Sequence, residues 1–355
     1  MKGDTMSGEV QSGFTIWELF AILVVVVVLV IIFLPAMGSP RINTNGNESR
    51  ANLRTLTMGA ANYAGDSDEE IFYFKWTKES QYISLRSISD NLADPNQSSL
   101  ASRGAQAENI LMRATGRIKG RGAIQNSWMM NVSHRYTHLV LLDYLTDRQP
   151  EPIMASPFDK NLINWQENPL GYLDADSDVP YGKGMPSEAG YDTDPMWLED
   201  SVKQLWAFGS SYQVVPHAWL DDVDPQYTPS AESPHHLVKG ESEEPLGGRR
   251  MTEVKFPSQK VFMYEEFDRF SDPKGIYAAY PEAKVNLAFF DGSVRQEETS
   301  DARSAYDEKN PTRVWEQRYV PLDTFPVPMG GLGELKKWDL RFRWTKGGLS
   351  GIDYN

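Results

Sequence analysis

Residues 14–34 read FTIWELFAILVVVVVLVIIFL, and this stretch decides the architecture. From Leu19 to Leu34 every residue is apolar, and from Phe14 only Thr15 and Glu18 interrupt the run. Its 21 residues, at about 1.5 Å each in a helix, span roughly 30 Å, the thickness of a bilayer's hydrocarbon core. A helix buried in a soluble core rarely stays apolar on every face for so long. The β-branched run Val24–Val28 would suit a strand in water. In lipid the backbone must satisfy its own hydrogen bonds, which favours a helix. A transmembrane helix is therefore expected over residues 14–34.

A cleaved secretory signal is the competing reading. It needs a basic leader, a shorter apolar core and a small-residue cleavage site. Here Lys2 is the one basic residue of the leader and is offset by Asp4 and Glu9, while Pro35-Ala36-Met37-Gly38-Ser39 makes a poor site. Charge alone does not support an external domain, because the positive-inside rule would hold Arg41, Arg50 and Arg54, and the soluble domain with them, in the cytoplasm.

Glu18 calls for a physical reason. A carboxylate in a membrane helix costs about 2.5–3.5 kcal/mol at full depth, and less near the edge. Thr15-Ile16-Trp17-Glu18 fits an N-terminal capping box, which would use the carboxylate at the helix start. That leaves Gly13-Phe14 and the spacing to Pro35 without a role. Gly13-Phe14-Thr15-Ile16-Trp17-Glu18 resembles the cleavage and methylation motif of type IV prepilins and type II secretion pseudopilins. Counting from Phe14, Glu18 is the fifth residue and Pro35 the twenty-second, as in that family.

The resemblance implies that a prepilin peptidase cuts after Gly13 and methylates Phe14. It implies that Glu18 meets the new α-amine of a neighbouring subunit during assembly, with Pro35 kinking the helix. It also places the N-terminus in the cytoplasm and the remainder of the chain outside the cytoplasmic membrane, with passage into a surface filament after assembly. The partners it implies are the peptidase, other pilin-like subunits and the lipid bilayer. The leader departs from the family, whose leaders are usually basic.

Beyond the membrane, GSPRINTNGNES at residues 38–49 is rich in turn formers, so residues 38–47 are expected to be a weak point or break. Leu53, Leu56, Ala60 and Tyr63 then form a helical stripe that Gly65-Asp66 ends. Asn52-Leu53-Arg54 and Asn62-Tyr63 sit where relatives carry similar residues on a continuous helix. The expected organisation is a leader at 1–13, a transmembrane helix at 14–34, a helical extension at 35–65 and a soluble α+β domain at 66–355. The fold implied is pilin-like: a long N-terminal helix on a mainly antiparallel sheet with long loop insertions.

Within the soluble part, Thr137–Leu145 is expected as a short helix and Lys260–Glu265 as a strand. Trp338–Lys346 alternates and is expected as a half-exposed strand. Residues 181–250, rich in Pro, Gly, Ser and acids, are expected as long loops. Val285–Arg295 carries Asp291-Gly292 between apolar runs, which predicts a hairpin with a type I′ turn. Prepilin-like proteins of the His-x9-Asp-Gly type are similar here: Asn286 and Asp291-Gly292 match, whereas Tyr280-Pro281 stands near where His-Pro is expected. Ser156-Pro157-Phe158-Asp159 likewise resembles their Cys-Pro-x-Asp. Asp291 is read as a turn former. The alternative is that Asp291 and Asn286 bind a metal or a sugar at the hairpin tip.

The rest of the sequence mainly excludes. A net charge of −14 argues against nucleic acid as a partner. No cysteine is present, so disulfides, thiolate metal sites and Cys nucleophiles are out. With 12% aromatic residues and ten Trp, a disordered chain is out too. His134 and His138 stand four apart but lack the Glu and third ligand of a zinc motif, and His235-His236 lie far along the chain. Asp174, Asp176 and Asp178 begin like a calcium loop, yet Val179 and Met185 occupy the positions that need Gly and Glu. No cofactor is therefore expected, with structural calcium in that acidic loop as the alternative, and no enzyme class is supported. The expected function is a structural subunit of a pilus or pseudopilus. The alternative is a membrane-anchored envelope protein whose soluble domain binds a ligand or carbohydrate.

Overall fold

The computed structural model describes residues 16–17, 19–27, 40–77, 99–115, 136–146, 148–167, 208–222, 228–229, 238–239, 246–271, 276–305, 314–318 and 337–355. The chain divides into two compact units, Met1–Asn45 and Gly46–Asn355. In the first, residues 16–17 and 19–27 are helical. Their large side chains, from Ile16 and Trp17 through Val27, are exposed all round. Among the described residues no helix is long and apolar enough to cross a membrane. Glu18 and residues 28–39 lie outside the described residues, so the transmembrane expectation for 14–34 is covered only in part.

The second unit is α+β. Helix α1, Pro40–Asp66, contributes its residues from Gly46 onward to this unit. Its apolar stripe does what the spacing demands: Leu53, Leu56, Ala60 and Tyr63 are all buried. Each large member adds about 1.5–3 kcal/mol by leaving water. Two left-handed residues, Asp68 and Glu69 (φ 55° and 63°), turn the chain at the helix end. It then runs through the buried segment Ile71–Phe74, whose Phe72 meets Tyr63 edge-on at 6.5 Å. Helices α2 (Ser99–Thr115) and α3 (Lys160–Glu167) and a 3-10 helix at Thr137–Tyr144 add to the helical part, with shorter 3-10 turns elsewhere among the described residues.

The main sheet is a four-stranded antiparallel meander of β1 (Tyr212–Val214), β2 (Val261–Glu265), β3 (Lys284–Phe289) and β4 (Val294–Glu298). Tyr212 pairs with Glu265, Tyr264 with Leu287, and Asn286 with Gln296. Alternation along each strand sends Tyr212, Glu265 and Asn286 toward α1, where Ser49 reaches all three. Tyr264 and Phe289 point to the other face. There Phe342 and Tyr354 of the C-terminal segment cover them, with ring centroids 5.3 and 6.0 Å apart.

Three expectations need correction. Trp338–Lys346 is not one strand: only Lys337–Asp339 pairs, with Glu316–Arg318, and a 3-10 turn follows at Arg341–Arg343. Adjacent residues Phe342 and Arg343 are both fully buried, which a half-exposed strand does not allow. Residues 181–250 are not all loop insertion, because 208–220 are buried and contain β1. A three-residue strand is too short to display alternation. Finally, the β3–β4 turn is not type I′, which needs two positive φ angles. Phe289 N–H bonds Ser293 O, and Gly292 N–H bonds Phe289 O. Only Gly292 in that loop has positive φ, at 83°. This is the three-residue loop that ends in a left-handed glycine. Phe290 is the additional residue, and its N–H is held by Lys260 O.

Candidate functional site

Between α1 and the sheet lies a closed polar network centred on Glu265, the last residue of β2. Burial of a carboxylate in such a place demands partners, and four side chains provide them. Ser49 on α1 donates to Oε2 at 2.8 Å. Asn286 on β3 donates to the same oxygen at 2.9 Å, and Ser156 Oγ donates to Oε1. Arg269 Nη1 stands 3.9 Å from Oε1. Burial pushes the Glu265 carboxyl above the ordinary carboxylate range, and Arg269 together with the three donors offsets only part of that rise. Tyr212 closes the α1 side: its hydroxyl lies 3.1 Å from Ser49 Oγ and accepts from Asn52 Nδ2 at 3.4 Å. Desolvation, then the Glu265 charge, raises its pKa.

Arg269 links this centre to Asp159. Its Nη2 donates to Asp159 Oδ2 at 2.9 Å, and Ser211 donates to the same oxygen at 2.9 Å. The other carboxylate oxygen, Oδ1, accepts Leu162 N–H at 3.1 Å. Asp159 therefore caps α3 in the manner of an N-cap residue while pairing a buried cation. Ser49, Ser156, Glu265 and Asn286 have no exposed surface, and every oxygen of Glu265 is engaged by protein groups. The arrangement fixes three strands, α1 and the 155–160 loop to one another. It offers no face to a solvent-borne substrate.

Two further polar clusters hold the C-terminal segment on the opposite face. Lys260 Nζ pairs with Asp353 Oδ2 at 3.0 Å, both buried, and Val261 N–H donates to that oxygen at 2.8 Å. Thr345 bonds both Lys260 Nζ and Asp353 Oδ1. Burial depresses the Lys260 ammonium, opposed by Asp353 and Asp222. Nearby, Asp222 Oδ1 accepts from Arg249 Nη1 at 2.9 Å and from Leu349 N–H at 3.1 Å. The buried His217 ring stands 3.8 Å from that oxygen and 4.7 Å from the Trp344 ring.

The residues singled out from sequence fall in three places. Gly13, Phe14, Glu18 and Pro35, and the acidic trio Asp174, Asp176 and Asp178, lie outside the described residues. Asn286 belongs to the Glu265 network. Asp291 and Gly292 sit at the exposed hairpin tip, where Asp291 Oδ1 accepts Ser293 N–H at 2.9 Å. The structure thus separates Asn286 from Asp291, and the two do not form a shared ligand site. Among the described residues no group of three or more His, Asp or Glu is arranged to hold a metal ion. Sequence reasoning missed Ser49, Glu265, Arg269 and the Lys260–Asp353 pair. The available signal was a carboxylate closing the apolar run Val261–Tyr264.

Comparison of the chain with protein-family models, with curated proteins and with solved structures finds no match.

Proposed function

We propose that this chain is a structural subunit of a pilus- or pseudopilus-like assembly, inserted as a prepilin, cleaved after Gly13 and polymerised through its N-terminal helix. The observation that carries the reading is the Glu265 network. Asn52, Ser156, Asp159 and Asn286 belong to segments that resemble prepilin-like proteins, and their hydrogen bonds converge on one network. That centre clamps α1 to an antiparallel sheet. A flexible tether for a binding domain needs no such clamp, whereas a subunit that transmits load from a shared helical stalk to its head does. The exposed apolar side chains of helical residues 16–17 and 19–27 support the same reading, since lipid or neighbouring helices must cover such a surface.

The test uses the full chain co-produced with a prepilin peptidase. Intact mass should show a methylated Phe14 N-terminus. Because the chain has no cysteine, Ile22→Cys gives a single probe, and disulfide crosslinks between subunits should form in membranes. Glu18→Ala should leave insertion intact and abolish the crosslinks. Retention of residues 1–13, or crosslinks unchanged by Glu18→Ala, would overturn the proposal.

A further inference from the structure

Beside helix α1 the soluble unit carries a groove of about 400 Å³, and we propose that it receives Arg54 of a second copy of this chain. The inference rests on the reading of the chain as an assembling subunit and names a contact between soluble units. Pro152, Ile153, Pro157 and Ile163 form apolar walls, and Glu48, Asn52, Gln166 and Glu167 supply the polar side chains. Asn52 uses its amide nitrogen on Ala155 O at 3.2 Å and the Tyr212 hydroxyl at 3.4 Å. Gln166 turns Nε2 to Glu151 O at 2.9 Å. Both amides are thereby oriented by backbone carbonyls, and among the described residues nothing donates to Asn52 Oδ1 or Gln166 Oε1. Glu48 and Glu167 are exposed, and no described residue pairs with either. The side chains of the groove therefore offer apolar walls and a surplus of acceptors. An arginine is complementary to both: its stem packs on the walls, and its guanidinium has five donors and no acceptor.

The matching cation stands on the other side of the same helix. Arg54 is exposed, and among the described residues nothing pairs with it. Arg50, by contrast, donates to Asn47 Oδ1 at 2.6 Å. Arg54 follows Asn52 by two residues, about 200° round an α-helix, so it turns away from the groove of its own copy. Beside it α1 presents Ala51, Thr55 and Met58, all exposed, and Met58 keeps 67% of its surface open. A second copy's apolar groove walls would cover that side chain. Because groove and arginine face apart, two copies cannot satisfy each other face to face. Each copy gives its arginine to one neighbour and accepts one from the next, the head-to-tail contact that extends a filament. Copies of net charge −14 repel in general, so one arginine meeting two glutamates selects where they can approach.

Full chains in membranes test the contact, each with a single cysteine: Met58→Cys beside Arg54 in one copy, Pro152→Cys at the groove in another. Co-produced, the two should form a mixed disulfide dimer, and neither alone should dimerise. Arg54→Glu in both copies should lower the mixed dimer roughly tenfold, the size expected for one charge-assisted hydrogen bond. Adding Glu48→Lys and Glu167→Lys to that variant should restore it. All three side chains are exposed, so these variants should keep the wild-type melting temperature, which is measured alongside. The assignment is overturned by any of four results: no mixed dimer, a yield that Arg54→Glu leaves unchanged, like-with-like dimers as abundant as mixed ones, or capture of a different protein by Pro152→Cys. The Ile22→Cys crosslink in the same membranes separates the two readings. If it forms without the mixed dimer, the groove contact alone is wrong; if neither forms, the assembly reading falls with it.

Discussion

Ser49 on helix α1 donates its hydroxyl to Glu265 at the end of β2, 2.8 Å away across 216 positions of sequence. Neither group has exposed surface, so the bond is a rigid coupling between the N-terminal helix and the sheet.

Removing either end should therefore cost stability in unequal amounts. Ser49→Ala takes one of three hydrogen-bond donors from Glu265 and should cost about 1–3 kcal/mol. Glu265→Ala leaves the donors Ser49, Ser156 and Asn286 without their shared acceptor and Arg269 with Asp159 alone, and should cost on the order of 3–5 kcal/mol. Glu265→Gln keeps the shape and one of the two acceptor oxygens, which can still take Ser49 and Asn286, and should cost less than Glu265→Ala. Urea midpoints measured for the three variants check the order. A Glu265→Ala midpoint equal to wild type would mean that the network does not hold the helix.

The Lys260–Asp353 pair gives a sharper contrast. Lys260→Ala leaves Asp353 buried without its cation and should destabilise by about 3–5 kcal/mol. The double variant Lys260→Met with Asp353→Leu removes both desolvation costs and should recover part of that loss, less what Val261 N–H and Thr345 lose with the Asp353 oxygens. A double-mutant cycle by chemical unfolding measures the coupling. A double variant as unstable as Lys260→Ala would show that shape, and not charge burial, controls this site.

His217 should impose a pH slope. Burial first, then the Lys260 and Arg249 charges, hold its folded pKa well below 6.5, and Asp222 at 3.8 Å offsets only part of this. Between the folded pKa and 6.5 the unfolded chain binds a proton that the folded chain does not. Its contribution is therefore whole above 6.5 and is lost as pH falls through that window. From about pH 7.5 to about pH 5, wild type should lose more melting temperature than His217→Gln. Equal losses would show that His217 takes up its proton in the folded state as readily as in the unfolded chain.

Much of the fold was legible because it obeys a period. The stripe Leu53–Leu56–Ala60–Tyr63 repeats at helical spacing and is buried as a line, and the β3–β4 hairpin announces itself through Asp291-Gly292. What escaped was either too short or too distant. β1 has three residues, Tyr212–Val214, and sits in a stretch whose composition reads as loop. The segment 340–354 covers a sheet face with residues in no repeating order, because it follows the shape of that face and not a lattice of its own. The Glu265 network draws on five segments of the chain, and no local pattern marks Ser49 or Arg269 as its members. Asn286 was visible only through a family motif that pairs it with Asp291, and the structure gives the two different tasks.

The hairpin tip tests that division of tasks. Gly292 has φ 83°, and a Cβ placed on it would meet nothing within 4 Å. Any penalty for a side chain there is backbone strain and not collision. Gly292→Val should cost about 1–3 kcal/mol, whereas Gly292→Asn, whose side chain tolerates the left-handed region, should cost much less. Asp291→Asn keeps an oxygen for Ser293 N–H and should shift stability by no more than about 0.5 kcal/mol. Melting curves of the three variants, each with and without calcium, separate turn chemistry from ligand binding. If wild type gains melting temperature with calcium and Asp291→Asn loses that gain at unchanged basal stability, the tip is a cation site and Asp291 is more than a turn former.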